Sequence, residues 1–165
     1  MNSRSLAPSR PARSGTTGPI TRGLRWLGVL AAGGITAWII VRYPSLPDTV
    51  ATHFTVSGQA DDWGPKWSIL VLAGVMLLLS LALAALSVRP RLFNYPVAVT
   101  ASNAQAIYRE GERMMVGTLL GVVLLYLGIA WSVVLTGGTA LTVSGIVLML
   151  AATIIGIVRL VRVGR

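Results

Sequence analysis

The chain has 165 residues, 54% of them hydrophobic and 12% charged, with a mean hydropathy of +0.73 and a formal net charge of +9. It is too apolar and too sparsely charged for an ordinary water-soluble domain, and a bilayer is the expected solvent. The basic balance does not point to nucleic acid, because the arginines cluster at the ends of apolar segments; the lack of cysteine excludes disulfides, thiolate metal sites and a cysteine nucleophile.

Residues 1–23 are rich in Ser, Pro, Gly, Thr and Arg and hold no acidic residue. A disordered basic tail is expected there, since such a segment buries too little apolar surface to offset the entropy of ordering. Its arginines Arg4, Arg10, Arg13 and Arg22, with Arg25 just beyond, either rest on anionic headgroups or only set topology.

The first apolar run, Trp26 to Val41, becomes a full membrane span at about 24–43 once Leu24 and Tyr43 are included. The following Arg-Tyr-Pro-Ser-Leu-Pro-Asp lacks a small-x-small cleavage signal, so this is read as an uncleaved helix. Next comes a polar island, Tyr43 to Lys66. It holds the single histidine, His53, the single lysine, Lys66, and the carboxylates Asp48, Asp61 and Asp62.

Pro44 and Pro47 end the first helix. From Val50 to Val56 the pattern alternates, with Val50, Thr52, Phe54 and Val56 on one side and Ala51, His53 and Thr55 on the other. That is the signature of a strand, and Ser57 with Gly58 supplies the turn of a hairpin. A two-residue turn sets His53 opposite Asp62, whereas a three-residue turn shifts the register, so either Asp61 or Asp62 is its expected neighbour. Trp63, Lys66 and Trp67 carry the chain back as interfacial anchors.

Further spans are read at about 67–88, 114–136 and 139–158, the last two joined by a tight turn at Gly137 and Gly138. The predicted fold is therefore an all-α membrane protein, a four-helix transmembrane bundle with a short extracytoplasmic hairpin between helices 1 and 2. Between spans two and three, Thr100 is expected to cap a helix from Ala101 to Met115. Ala104, Ile107, Tyr108, Gly111 and Met115 share one face of it, set against the inner leaflet or the bundle. All arginines except Arg42 fall on one side of this arrangement, which places both termini in the cytoplasm and the island outside. Small residues at four-residue spacing, Gly117 with Gly121, Ala152 with Gly156, Gly28 with Ala32 and Ser80 with Ala84, suit close helix packing. No span contains an Asp, Glu, Lys, Arg or His in its interior, Arg25 and Arg42 standing at the ends of the first, which disfavours a solo ion-coupled transporter.

No catalytic constellation is present. His53 has no second histidine or HExxH partner for zinc, and Ser57 has no plausible triad. Neither a catalytic residue, a metal nor a cofactor is expected.

The island resembles the bacterial membrane family grouped as DUF1648, a module also found at the N-terminus of SdpI-type toxin-immunity proteins. Tyr43, Pro44, Leu46, Pro47, Thr52, His53, Phe54, Gly58, Asp61, Trp63, Gly64 and Lys66 carry the resemblance, within a module at about 25–88. Ala51 and Thr55 depart from it, standing where proline and asparagine are usual. A second likeness runs through Asn94, Tyr95, Pro96, Asn103, Ala104, Tyr108, Arg109 and Arg113.

The resemblance implies a multi-pass protein of the bacterial plasma membrane and favours Asp61 as the functional carboxylate. It suggests a non-enzymatic role, sensing or neutralising an extracytoplasmic ligand through Pro47, Thr52, His53, Phe54, Gly58, Asp61, Trp63 and Lys66. Asn94, Tyr95, Pro96, Asn103, Tyr108, Arg109 and Arg113 would form a cytoplasmic relay. The partners provided for are the lipid bilayer, a peptide or protein ligand outside, and a cytoplasmic regulator or a second copy of the chain. The alternative is an accessory or structural subunit of a membrane transport or envelope complex.

Overall fold

A computed structural model describes residues 10–165 apart from Val56. Four long helices, α1 (Pro19–Arg42), α2 (Ser68–Ser87), α3 (Ala104–Val134) and α4 (Thr139–Val163), are each long and apolar enough to cross a membrane. A two-stranded antiparallel hairpin, β1 (Thr49–Phe54) and β2 (Ala60–Pro65), joins α1 to α2. The up-down connectivity leaves the hairpin beside the short turn between α3 and α4. The N-terminal segment, the α2–α3 loop and the C-terminus gather at the opposite end.

Helix α3 is the axis of the molecule. Helices α1 and α2 pack on it and on each other, while α4 packs principally on α3 alone. Ile39, Ile69, Leu119 and Tyr126 are almost fully buried at this centre. The Tyr126 hydroxyl lies 3.0 Å from Thr36 Oγ1, so the phenol enters the core with its polar end satisfied. Buried Ser80 and Ser87 donate to the carbonyls of Met76 and Ala84 within their own helix. The small residues read from the sequence sit at helix contacts. A Cβ on Gly28 would lie 2.9 Å from Leu119, and one on Gly117 would lie 2.9 Å from Ala152. Such residues let backbones approach closely where no hydrophobic drive separates lipid from protein.

Three expectations are corrected. Residues 10–18 are not a free tail, because Arg10, Arg13, Ser14 and Thr17 hydrogen-bond across the end of the bundle, and α1 starts at Pro19 rather than near Leu24. Arg4 lies outside the described residues. Second, α3 begins at Ala104, and Thr100 is not its cap. Asn103 precedes the helix and turns its side chain back on the loop, accepting from the Thr100 N–H at 2.9 Å and donating to the Ala98 carbonyl at 3.1 Å. Third, strict alternation along β1 fails. Val50 and Ala51 are both buried and Thr52 and His53 both exposed, and the ladder is irregular on each side of His53. Val56 lies outside the described residues.

Candidate functional site: the hairpin and the end of the bundle beneath it

The hairpin is tied to the helices at its base. Tyr43–Ser45 form a single 3-10 turn after α1, and Leu46, Val50 and Ala51 are buried where the chain returns over the helices. Lys66 closes the loop. Its backbone N–H donates to the Asp48 carbonyl at 2.8 Å, its Nζ sits 3.1 Å from Asp48 Oδ1, and it lies 5.6 Å from the Tyr43 ring centroid. The lysine read as a membrane anchor thus joins the two ends of the island, a cation over an aromatic face with a carboxylate beside it. Trp63 and Trp67 are more than half exposed, as rings at headgroup depth would be.

The tip fixes the register. Thr55 N–H donates to the Gln59 carbonyl and Gly58 N–H to the Thr55 carbonyl, each at 2.8 Å, so three residues separate the paired Thr55 and Gln59. Gly58 holds φ +82°, the left-handed conformation glycine takes without a Cβ penalty. A Cβ there would also fall 1.8 Å from Thr139 Oγ1, so the tip rests on the first residue of α4. Phe54 pairs with Ala60, then His53 with Asp62 and Ala51 with Trp63, the slips on the two strands offsetting one another. The backbone partner of His53 is therefore Asp62, while its Nδ1 meets Asp61 Oδ1 at 2.6 Å. Asp62 is engaged locally, accepting from the Trp63 N–H.

The His53 and Asp61 side chains are 67% and 44% exposed. A hydrogen-bonded pair so open to solvent adds little stability and leaves both side chains accessible to an incoming group. Beneath it the hairpin lines three cavities, two of them larger than 400 Å³. One of about 450 Å³ runs from Thr52, His53 and Phe54 down between Leu72 of α2, Ile129 of α3 and Ile146 of α4. The other, about 460 Å³, lies between Pro47, Phe54 and Trp63 and the α3–α4 turn at Thr136 and Gly137. Phe54 lines both. Pro47, Thr52, His53, Phe54, Gly58, Asp61, Trp63 and Lys66 thus belong to one compact unit, with Lys66 at its base.

Residues 30–77 match the family model described as Domain of unknown function (DUF1648). Residues 30–77 thus carry the DUF1648 domain. The DUF1648 match spans most of α1, the whole hairpin and the first half of α2, so the family's matched segment is the roof of these cavities and the two helices that carry it. It is shorter than the module read at about 25–88, and the second group, Asn94 to Arg113, lies beyond it. No curated protein and no solved structure matches the chain.

That second group packs at the other end. Tyr108 is buried and donates to the Pro11 carbonyl at 2.9 Å; Tyr95 donates to the Pro90 carbonyl at 2.8 Å and, with Phe93, covers Gly111. Burial pushes the Tyr95 phenol up, so it stays a neutral donor at any physiological pH. Arg113 pairs with Glu110 at 2.5 Å, whereas Asn94, Pro96 and Arg109 are exposed. These residues do not reach the hairpin.

One residue there escaped sequence reading. Glu112, 2% exposed, receives Arg13 Nη2 at 2.6 Å on one oxygen and Thr17 Oγ1 at 2.6 Å on the other, where Arg25 also binds. Arg25 Nε continues to Ser87 Oγ at 2.7 Å. One carboxylate so ties the N-terminal segment, α1, α2 and α3 together. Ala104, Ile107, Tyr108 and Gly111 already marked the buried face, and Glu112 follows Tyr108 by one helical turn on it.

Proposed function

We propose that the hairpin is a recognition element that senses or neutralises an amphipathic ligand, such as a membrane-active peptide, arriving from outside the cell. The observation that carries this reading is the exposed His53–Asp61 pair set over an apolar cavity of about 450 Å³. An apolar group of the ligand would enter beside Phe54 and Leu72 while its polar end meets His53 and Asp61, the usual division of labour in a binding site. Among the described residues no group of three metal-ligating side chains forms around the histidine, and Ser57 has no plausible triad, so recognition fits these residues better than chemistry. The arginine distribution supports an orientation with the hairpin outside and Arg10, Arg13 and Arg89 to Arg113 inside.

Orientation has its own test, helped by the absence of native cysteine. Gln59→Cys should react with a membrane-impermeant maleimide on intact cells, and Ser102→Cys only after permeabilisation. The reverse labelling would invert the site. For function, a deletion strain complemented with His53→Ala, Asp61→Ala or Lys66→Ala is challenged with membrane-active peptides and envelope stresses. Loss of one charged hydrogen bond should weaken ligand binding about tenfold or more, and survival should fall accordingly at unchanged protein level. Full rescue by all three variants removes the hairpin from the function.

A further inference from the structure

The N-terminal segment and the end of α2 build a second pocket, remote from the hairpin. Arg10 Nη1 donates to the carbonyls of Arg91 at 2.8 Å and Phe93 at 2.5 Å, and Arg91 Nη2 returns a bond to the Arg10 carbonyl at 2.8 Å. Arg13 reaches the Val88 carbonyl at 3.3 Å and the Glu112 carboxylate. Between these clasps lies a cavity of about 440 Å³ whose lining includes Arg10, Arg13, Arg89 and Arg91 and no acidic residue.

The charge balance inside it is one-sided. The carbonyls of Val88, Arg91 and Phe93, which would repel an anion, already accept from Arg13 and Arg10. Glu112, the carboxylate that Arg13 reaches, is also met by Arg25. Arg89 and Arg91 are exposed, and Arg89 makes no side-chain hydrogen bond among the described residues. The pocket also sits at a telling depth. Arg89 follows directly on Ser87 and Val88 at the end of α2, and Leu86, Val88 and Leu92 are exposed beside it, so apolar surface runs straight into the cationic cavity. A free phosphate would use only the cationic half.

We propose that this pocket binds the phosphodiester headgroup of an anionic phospholipid, with an acyl chain along Leu86 and Val88. The N-terminal segment is then half of a lipid site, completed only when Arg10 and Arg13 are clasped onto the end of α2. Arginine is suited to this, since its planar fork grips phosphate oxygens in pairs.

The test uses the full chain in a neutral detergent, titrated with short-chain phosphatidylglycerol, phosphatidylcholine or inorganic phosphate, and read as ligand-dependent melting temperature. Phosphatidylglycerol should stabilise the protein saturably, and the other two should not. With each headgroup arginine worth about fivefold in affinity, Arg89→Gln with Arg91→Gln should weaken binding about thirtyfold. A control that removes the same charge at the same end, Arg162→Gln with Arg165→Gln, should change it by less than about twofold. Equal weakening by both pairs would mean diffuse attraction and overturn the site, as would inorganic phosphate matching phosphatidylglycerol. If the double variant does not fold, Arg89→Gln alone should still give about a fivefold loss, and unchanged affinity sinks the proposal.

Discussion

Glu112→Ala should destabilise the protein by about 3–5 kcal/mol, the usual result of removing one partner from a buried ion pair. The Arg25 side chain is only 12% exposed and would be left without its counter-ion, still bonded to Ser87 but otherwise desolvated. Arg13 and Thr17 lose their acceptor in the same step, so the clasp of residues 10–18 opens. Two measurements follow: melting in detergent should fall by on the order of 10 °C, and trypsin should cut after Arg13 much faster than in the parent. A variant that melts normally and keeps Arg13 protected would show that the remaining bonds from Arg10, Ser14 and Tyr108 hold the segment unaided.

The cost belongs to the orphaned charge more than to the pair itself. Replacing both Glu112 and Arg25 with methionine removes the two charges together, and well-packed apolar substitutes for a buried pair are often neutral. The double variant should therefore recover much of the loss seen in Glu112→Ala, a coupling a double-mutant cycle measures directly. Equal losses in the single and double variants would assign the damage to packing around α3 rather than to charge.

Glu112 also marks where sequence reading stopped. The four apolar helices were legible because a bilayer demands long uncharged runs, and their ends were less so, because hydropathy records contact with lipid rather than the limit of a helix. Helix α1 continues back through Arg25 and Arg22 to Pro19, and α3 begins ten residues before the apolar run at Met114. The hairpin was visible in the proline exit, the period-2 pattern and Gly58. Its paired irregularities were not, so the side-chain partner of His53 rested on the resemblance until the geometry set Asp61 at 2.6 Å. The clasp was least legible. A Ser-Pro-Gly-Arg segment reads as unfolded by composition, and what orders it is contact with Gln105, Tyr108 and Glu112, over ninety positions away in the chain.

The second large effect is expected at Gly145, where α4 meets α3. A Cβ there would lie 2.2 Å from the Leu125 backbone nitrogen and 2.6 Å from its Cα, and backbone inside a helix cannot step aside. Two further approaches share this seam: a Cβ on Gly128 would meet the Thr142 nitrogen at 2.3 Å, and one on Gly121 the Met149 nitrogen at 2.5 Å. Because α4 packs principally on α3, Gly145→Leu should lever it outward along its length, at or above the top of the about 1–3 kcal/mol typical of overpacking. The cavity under His53 has Thr142 and Ile146 of α4 as one wall, so the same change should open the proposed ligand site. Displacement can be read chemically, since Thr118 and Thr153 hydroxyls lie 3.2 Å apart across the seam. A Thr118→Cys, Thr153→Cys pair should cross-link on mild oxidation in the otherwise parental chain and fail to do so with Gly145→Leu. Gly74→Leu, on α2 with open space around its Cα, should leave the cross-link intact. Cross-linking that survives Gly145→Leu would mean that α4 has a hold other than this glycine seam.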